Sequence, residues 1–585
     1  MGPHQRCVWS EWLKHLVLST NLTHDTTNKL MALLRDTTNF QLPKDARTLL
    51  RTPQNIGSQI VPISGGDFWY QGIEKALQCY FRNFNSEINT IEVTLSMDGL
   101  PLHTSGTTCF WPILMRVEGI PQAAIRVVAI FCGYSKPENA EEYLRPLVNE
   151  LNHLHRNGIT LNSITRPFKL RCIIGDAPAR ALIKGVRYYN GKEGCMKCTC
   201  HGEYLAEERK VIFVGVGAAA RTDSMFRMQG YGRHHREPTP LTELDDFDII
   251  KNVVTSDSLH LLDHGATKKF LMHWKTAKFS SDEKWSQEQI DNISTFIMNM
   301  KLPSEIIRRM RSLKFLKYWK GSEFKYFLLY GGIVILRDYL PEEEYDHFLK
   351  YFCAITIFST EVYKPLWVEG KRLIEEFILE VPRTYGREHL TSNIHNLQHI
   401  YDDICNFGPL PTISTYPFEG YLRNIKRSMR SGWKCLEQAA NRISELNNFE
   451  TYNPPTHPEY PLIEQKSQLT ILHMSSSFIL KCTENDQWFL TDSNAIIKFS
   501  SATRSPDSSR IVINGFPILK FRTYFQISSL SSAKINIFHA NISDLALTTA
   551  KITTSNVKCK LVAVQKKSGN GYVFFPLLHT LKLTN

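Results

Sequence analysis

The sequence has no long apolar run. Its most apolar stretches, such as Gly332-Ile333-Val334-Ile335-Leu336, fall far short of the ~20 residues that span a bilayer, which excludes a membrane role. The first twenty residues carry Arg6, Glu11, Lys14 and His15, so no signal peptide is expected. A disulfide framework is missing too: the 13 cysteines are odd in number, scattered and mostly set in apolar runs, which suits reduced thiols in a nucleus or cytosol. Asn21-Leu22-Thr23 and Asn541-Ile542-Ser543 match the glycosylation pattern, but without a secretory signal they carry no weight. No internal repeat, coiled coil or long low-complexity segment is visible. What is present is ordinary for a folded soluble protein: 585 residues, room for three or four domains, 42% hydrophobic and 22% charged. The net charge of +12 favours an anionic partner without identifying it.

Periodicity divides the chain. Residues 1–60 read as a helical segment, with Trp9, Trp12, Leu13 and Leu16 and then Leu30, Leu33 and Leu34 at helical spacing. A helix is expected over Phe68–Phe84, strands over Ile91–Met97, Phe110–Val117 and Ala124–Cys132, and an amphipathic helix over Pro137–Arg156. A strand over Phe168–Ile174 and a helix from Ala177 to Lys184 follow. Three strands, a helix, a fourth strand and a helix are the opening order of a ribonuclease H-like α/β fold. That core is expected over 61–204. A mostly α-helical insertion over 205–385 interrupts it, with helices at Ile306–Leu316 and Glu342–Phe358. The chain returns to the core over 386–447, and 448–585, with β-type runs from about Pro454, is expected to form a small β-rich C-terminal domain.

Four constellations carry chemistry. Asp98 and Asp176 each end an apolar strand, and Glu419 lies far downstream in Tyr416-Pro417-Phe418-Glu419-Gly420. Two strand-end aspartates and a helical glutamate suit a two-metal phosphoryl-transfer site, whose ions sit roughly 3.5–4 Å apart and prefer oxygen ligands when they are Mg²⁺. Singly, each is as well explained as a turn former. Second, Cys195-Met196-Lys197-Cys198 offers two thiolates on one turn, and His395 and His399, at i and i+4, share a helix face. Together they form a Cys₂His₂ set for one structural Zn²⁺, clamping the loop after Asp176 to the helix before Glu419. Cys200 and His201 compete as ligands in a local cluster. Third, Asp257 and His260 are spaced to share a hydrogen bond, and a capped helix N-terminus explains the same residues as well. Fourth, Arg423, Lys426, Arg427 and Arg430 follow at i, i+3, i+4 and i+7, giving one wholly basic helix face, which suits a solvated surface or, beside Glu419, contacts to DNA phosphates.

These residues resemble a known group. Ser96-Met97-Asp98-Gly99-Leu100-Pro101, Phe110-Trp111-Pro112-Ile113, Gly133-Tyr134-Ser135-Lys136-Pro137 and Gly175-Asp176-Ala177-Pro178-Ala179-Arg180 look like catalytic blocks of CACTA-type transposases, in the CACTA–Mirage–Chapaev superfamily. Cys195-x2-Cys198, Asp257-x2-His260 and His395-x3-His399 followed by Glu419 are similar to its later elements, in order, over roughly residues 60–435. The resemblance implies that Asp98, Asp176 and Glu419 bind two Mg²⁺ (or Mn²⁺) ions, and that Cys195, Cys198, His395 and His399 hold zinc. It implies strand cleavage by water and then strand transfer by the freed 3′-hydroxyl, on double-stranded DNA of transposon ends and target. A nuclear homo-oligomer is expected. No second Cys/His finger or helix-turn-helix precedes residue 60. End recognition is therefore expected upstream of this chain, in the C-terminal β domain, or in a second element-encoded protein. The alternative is a domesticated or truncated relative that binds DNA or protein without transposing.

Overall fold

The computed structural model describes residues 3–83, 88–102, 107–120, 122–276, 284–453, 459–467, 469–505, 510–567, 569 and 571–583. The expected start of the β-rich region at Pro454 lies outside them. The chain divides into two compact units, each built from three segments. The first comprises Met1–Tyr189, Arg221–Val254 and Thr415–Pro455; the second comprises Asn190–Ala220, Thr255–Ser414 and Thr456–Asn585. No helix among the described residues is long and apolar enough to cross a membrane.

The first unit opens with helices α1 (Pro3–Ser19), α2 (His24–Thr37) and α3 (Ala46–Leu50). Its sheet contains β1 (Ile60–Ile63), β2 (Gly66–Tyr70), β3 (Ile91–Met97), β4 (Cys109–Val117), β5 (Arg126–Gly133), β6 (Phe168–Gly175) and β7 (Val253–Val254). The order across it is β1-β2-β5-β4-β3-β6-β7, with the two-residue strand Leu100–Pro101 beside β4. β3, β4 and β5 form an antiparallel meander. β6 lies parallel to β3, and β7 parallel to β6. Such parallel neighbours need a crossover, which helix α5 (Ala140–Asn157) supplies between β5 and β6. Its apolar stripe of Tyr143, Leu144, Leu147, Val148 and Leu151 is buried, as its helical spacing requires.

The hairpin β1–β2 replaces the start of the helix expected over Phe68–Phe84, which is confined to α4 (Ile73–Tyr80). Gly65 turns the hairpin at φ 89°, and Gly72 at φ 93° ends the strand before α4 starts. Between them Phe68 and Trp69 pair with Phe131 and Ile130 of β5 and are buried. Sheet pairing outweighs a run of aromatics that fits either period.

After the long excursion through the second unit the chain returns as α7 (Tyr416–Ser428) and α8 (Cys435–Phe449), α6 (Ala177–Lys184) having followed β6 directly. Phe418, Leu422 and Ile425 of α7 and Leu436, Ala439 and Ile443 of α8 share one apolar cluster with Trp69, Phe110, Leu114 and Val127 of the sheet. This cluster fixes where Glu419 emerges.

The second unit joins helices to the C-terminal strands. Glu342–Phe358 packs on Trp367–Tyr385, the former as expected. The helix expected over Ile306–Leu316 is absent: a 3₁₀ turn at Leu313–Tyr318 stands in its place. Ile306, Met310, Leu313 and Leu316 are still buried. Arg311, however, forks onto the buried Glu323 carboxylate at 2.7 and 2.6 Å and also donates to Tyr318 O, which pulls the backbone out of a helix. The β-rich region forms a three-stranded and an eight-stranded antiparallel sheet. It is fastened to the preceding stretch by Tyr363 Oη donating to Ile535 O at 2.8 Å and by Lys560 Nζ against Glu305 at 2.7 Å, while Lys560 also pairs at 2.7 Å with Asp486 of the β-rich region itself.

Candidate functional site

Asp98 follows β3 and Asp176 follows β6. The register pairs Met97 with Gly175, so both aspartates leave the sheet side by side, on strands about 4.8 Å apart. A side chain on Gly175 would put its Cβ 2.9 Å from Met97 O, so only glycine allows this approach. The Asp98 carboxylate accepts the Gly99 N–H at 2.6 Å. Asp176 is the N-cap of α6, accepting from Ala179 N at 2.7 Å. Buried Arg180 donates to Gly175 O at 2.5 Å and so braces the residue before Asp176. Glu419 lies in the first turn of α7, where the helix dipole favours an anion. A carboxylate oxygen of Glu419 lies within 4.8 Å of one from Asp98. Two of the three expected acids thus meet through their side chains. The third stands beside Asp98 by register, with one oxygen committed to its helix cap. Burial, with the Asp98 charge adding to it, pushes the Tyr143 hydroxyl well above its ordinary value.

In the second unit Cys195, Cys198, His395 and His399 bring one donor atom each within 4.8 Å of one another. The two sulfurs lie 3.4 Å apart, Cys195 Sγ is 3.4 Å from His399 Nε2, and Cys198 Sγ is 3.3 Å from His395 Nε2. A tetrahedral Zn²⁺ with ordinary bond lengths has ligand edges of about 3.6–3.8 Å, close to these values. All four residues are buried, as in a closed structural site. The Cys195 thiol is held well below its ordinary value, by the hydrogen bond with Cys198 first and those with His395 and His399 next. Neither competing ligand joins the set: Cys200 Sγ faces Val214 O at 3.8 Å, and exposed His201 lies 3.6 Å from Glu193.

Lys197, inside the Cys-x2-Cys turn, forms a buried ion pair with Asp403 at 2.8 Å. Asp403 also accepts from Thr255 N at 3.0 Å and Ser256 N at 3.1 Å. Those residues lead into a π-helical segment, Ser258–Thr267, capped by Asp257. Asp257 Oδ2 lies 2.6 Å from His260 Nδ1, the pairing expected from the spacing. Sequence reading passed over Lys197 and Asp403. The signal was there: His395, His399 and Asp403 repeat every four residues.

The basic face is shorter than expected. Arg423, Lys426 and Arg427 are exposed on α7, with Lys426 Nζ donating to Pro101 O at 2.7 Å. Arg430 is not on that face, because the helix ends at Ser428. It turns back instead and donates to Asn21 Oδ1 at 2.8 Å.

Two family models match the chain. Residues 71–254 match transposase family tnp2, a stretch that runs from the edge of α4 to the end of β7 and includes Asp98, Asp176 and the Cys pair. This segment is therefore similar to a transposase domain. Residues 456–577 match a domain of unknown function, DUF8592, and coincide with the C-terminal sheets. No curated protein matches.

Proposed function

We propose that the chain is a transposon-derived DNA transposase of the DDE type, with a ribonuclease H-like core, acting on double-stranded DNA in the nucleus. The observation that carries this reading is the meeting of Glu419 with Asp98, at the sheet end shared with Asp176, across more than three hundred residues of sequence. The match of residues 71–254 to tnp2 transposases supports it. So does the strand order, in which an antiparallel meander is extended by two parallel strands on the side of its first member. The CACTA-type assignment rests on the motif order alone.

Asp98, Asp176 and Glu419 would hold Mg²⁺ (or Mn²⁺); they offer only oxygen donors, which such hard ions prefer. When bound, the ions stabilise charge on the attacking and leaving oxygens at phosphorus. The rest is positioning. The paired strand ends fix both aspartates, the Ala179 amide orients Asp176, and the apolar cluster under α7 fixes Glu419. Arg423 and Arg427 are exposed and would make phosphate contacts that carry no sequence information. The buried Cys₂His₂ set would hold one structural Zn²⁺, leaving no open position for chemistry. The reaction so supported is cleavage of a DNA strand by water, then attack of the freed 3′-hydroxyl on target DNA.

The test is Mg²⁺-dependent nicking of DNA carrying the element's terminal repeats. Asp176→Asn is expected to abolish it while leaving the thermal transition in place. Equal nicking by that variant would overturn the assignment. A wild-type chain that binds the repeats but never nicks them would favour the domesticated alternative.

A further inference from the structure

Below the end of α7, within the first unit, α2, α3 and α8 enclose a cleft of 940 Å³. It is lined by Arg47, Arg51, Arg430 and Arg442, with His24 beside them. Asp45 and Glu445 also line it, but both are committed to the protein. Asp45 caps α3 by accepting from Arg47 N at 2.6 Å, and Glu445, almost wholly buried, accepts from Thr52 Oγ1 and faces His24 Nε2 at 3.3 Å. Arg442 is nine-tenths buried. Its Nη1 sits 2.9 Å from Glu445 Oε2 as an ion pair yet makes no hydrogen bond. Arg51 is exposed and turns the end of α3 at φ 53°. The cleft thus holds more guanidinium charge than its acids balance. Arg430 is lowered by burial and by its nearness to Arg442, and an anion between the two would relieve that crowding.

We propose that this cleft seats a backbone phosphate of double-stranded DNA on the flank of the cleavage site. Guanidinium forks suit phosphate oxygens better than lysine point charges do. From Glu419 to Arg430 the chain runs along α7 and two further residues, roughly 15–20 Å at 1.5 Å per helical residue. At about 3.4 Å per base pair that span is at most roughly five base pairs from the scissile phosphate. Exposed Arg423 and Arg427 bridge the interval. The inference rests on the reading of the chain as a DNA-cleaving enzyme and adds where the flanking duplex lies.

The experiment uses the full chain and a labelled duplex, with affinity measured over a range of salt. Arg442→Gln and, separately, the exposed Arg51→Ala are each expected to weaken binding several-fold at low salt. Each should reduce the slope of log K against log[salt] by about 1, the signature of one lost phosphate contact. Phosphate-ethylation interference should lose a contact within about five base pairs of the nick. Unchanged slopes and interference in Arg51→Ala, a variant with no buried partner to lose, would overturn the proposal. So would inorganic phosphate stabilising the wild-type chain against heat while the slopes for DNA stay unchanged, which would make this a free-anion site. A wild-type chain that binds DNA without nicking it would refute only the catalytic reading, and the slopes would still decide the cleft.

Discussion

Two carboxylates held within 4.8 Å of each other repel unless a cation lies between them. Asp98 and Glu419 bring two carboxylate oxygens together, so a cation bound there is expected to stabilise the fold. Glu419→Gln is expected to shrink the rise in thermal midpoint that Mg²⁺ gives the wild-type chain. The same change should lower nicking by roughly a thousandfold, because it removes one of the three proposed metal ligands. Thermal denaturation with and without Mg²⁺, beside the nicking assay, checks both. Asp403 behaves differently. It is buried against Lys197 and two backbone amides, so Asp403→Ala removes the paired carboxylate from a buried ammonium and from both amides. A loss of about 3–5 kcal/mol is expected by denaturant unfolding. Replacing Cys195 and Cys198 together by serine is expected to remove about one zinc per chain and to expose both Cys/His segments to hydrogen exchange.

At the scale of elements, His347 links the helices Glu342–Phe358 and Trp367–Tyr385 through its Nε2, 2.8 Å from Phe377 O. Burial drives this imidazole down to about 4. The folded state keeps it neutral where the unfolded chain, at about 6.5, would protonate it. Its contribution is thus complete above about pH 6.5 and is lost progressively as pH falls towards 4, worth up to about 3 kcal/mol over that window. His347→Gln should lower the slope of unfolding free energy against pH between about 4 and 6.5 by up to one proton's worth, the half-buried His264 and the buried His389 keeping theirs. The strands around Asp98 and the stripe of α5 were legible because their apolar periods are unambiguous and packing agreed with them. The Cys/His set was legible because ligand spacing is local at each end. The hairpin at β1–β2 was not, since Phe68, Trp69 and Tyr70 fit either period and two glycines decided between them. Nor was the unwound stretch after Ile306, where a single Arg311–Glu323 fork outweighs helical spacing. Arg430 misled for a related reason: its spacing continued a helix that Ser428 had already ended.

For the whole molecule, the order of segments decides what can fold alone. Each compact unit takes three separate stretches of chain. The stretch that matches tnp2 transposases, residues 71–254, lacks β1 and β2 at the sheet edge as well as α7 and α8, which fill one face of the sheet with Phe418, Leu422, Leu436 and Ile443. Expressed by itself, that stretch is expected to bind a hydrophobic dye and to lack a cooperative thermal transition. Extended back to residue 1 and supplied in trans with a peptide covering 415–455, it should regain the transition. If the stretch folds cooperatively without the peptide, the apolar cluster under α7 contributes less than its burial implies. The same arrangement sets a clock on synthesis. The two aspartates leave the ribosome long before Glu419, and the sheet face that holds that glutamate closes only once α8 has followed. A chain cut short between residues 176 and 419 bears two acids without the third, so on the proposed reading an incomplete product would lack a full set of metal ligands because of the order in which its parts are made.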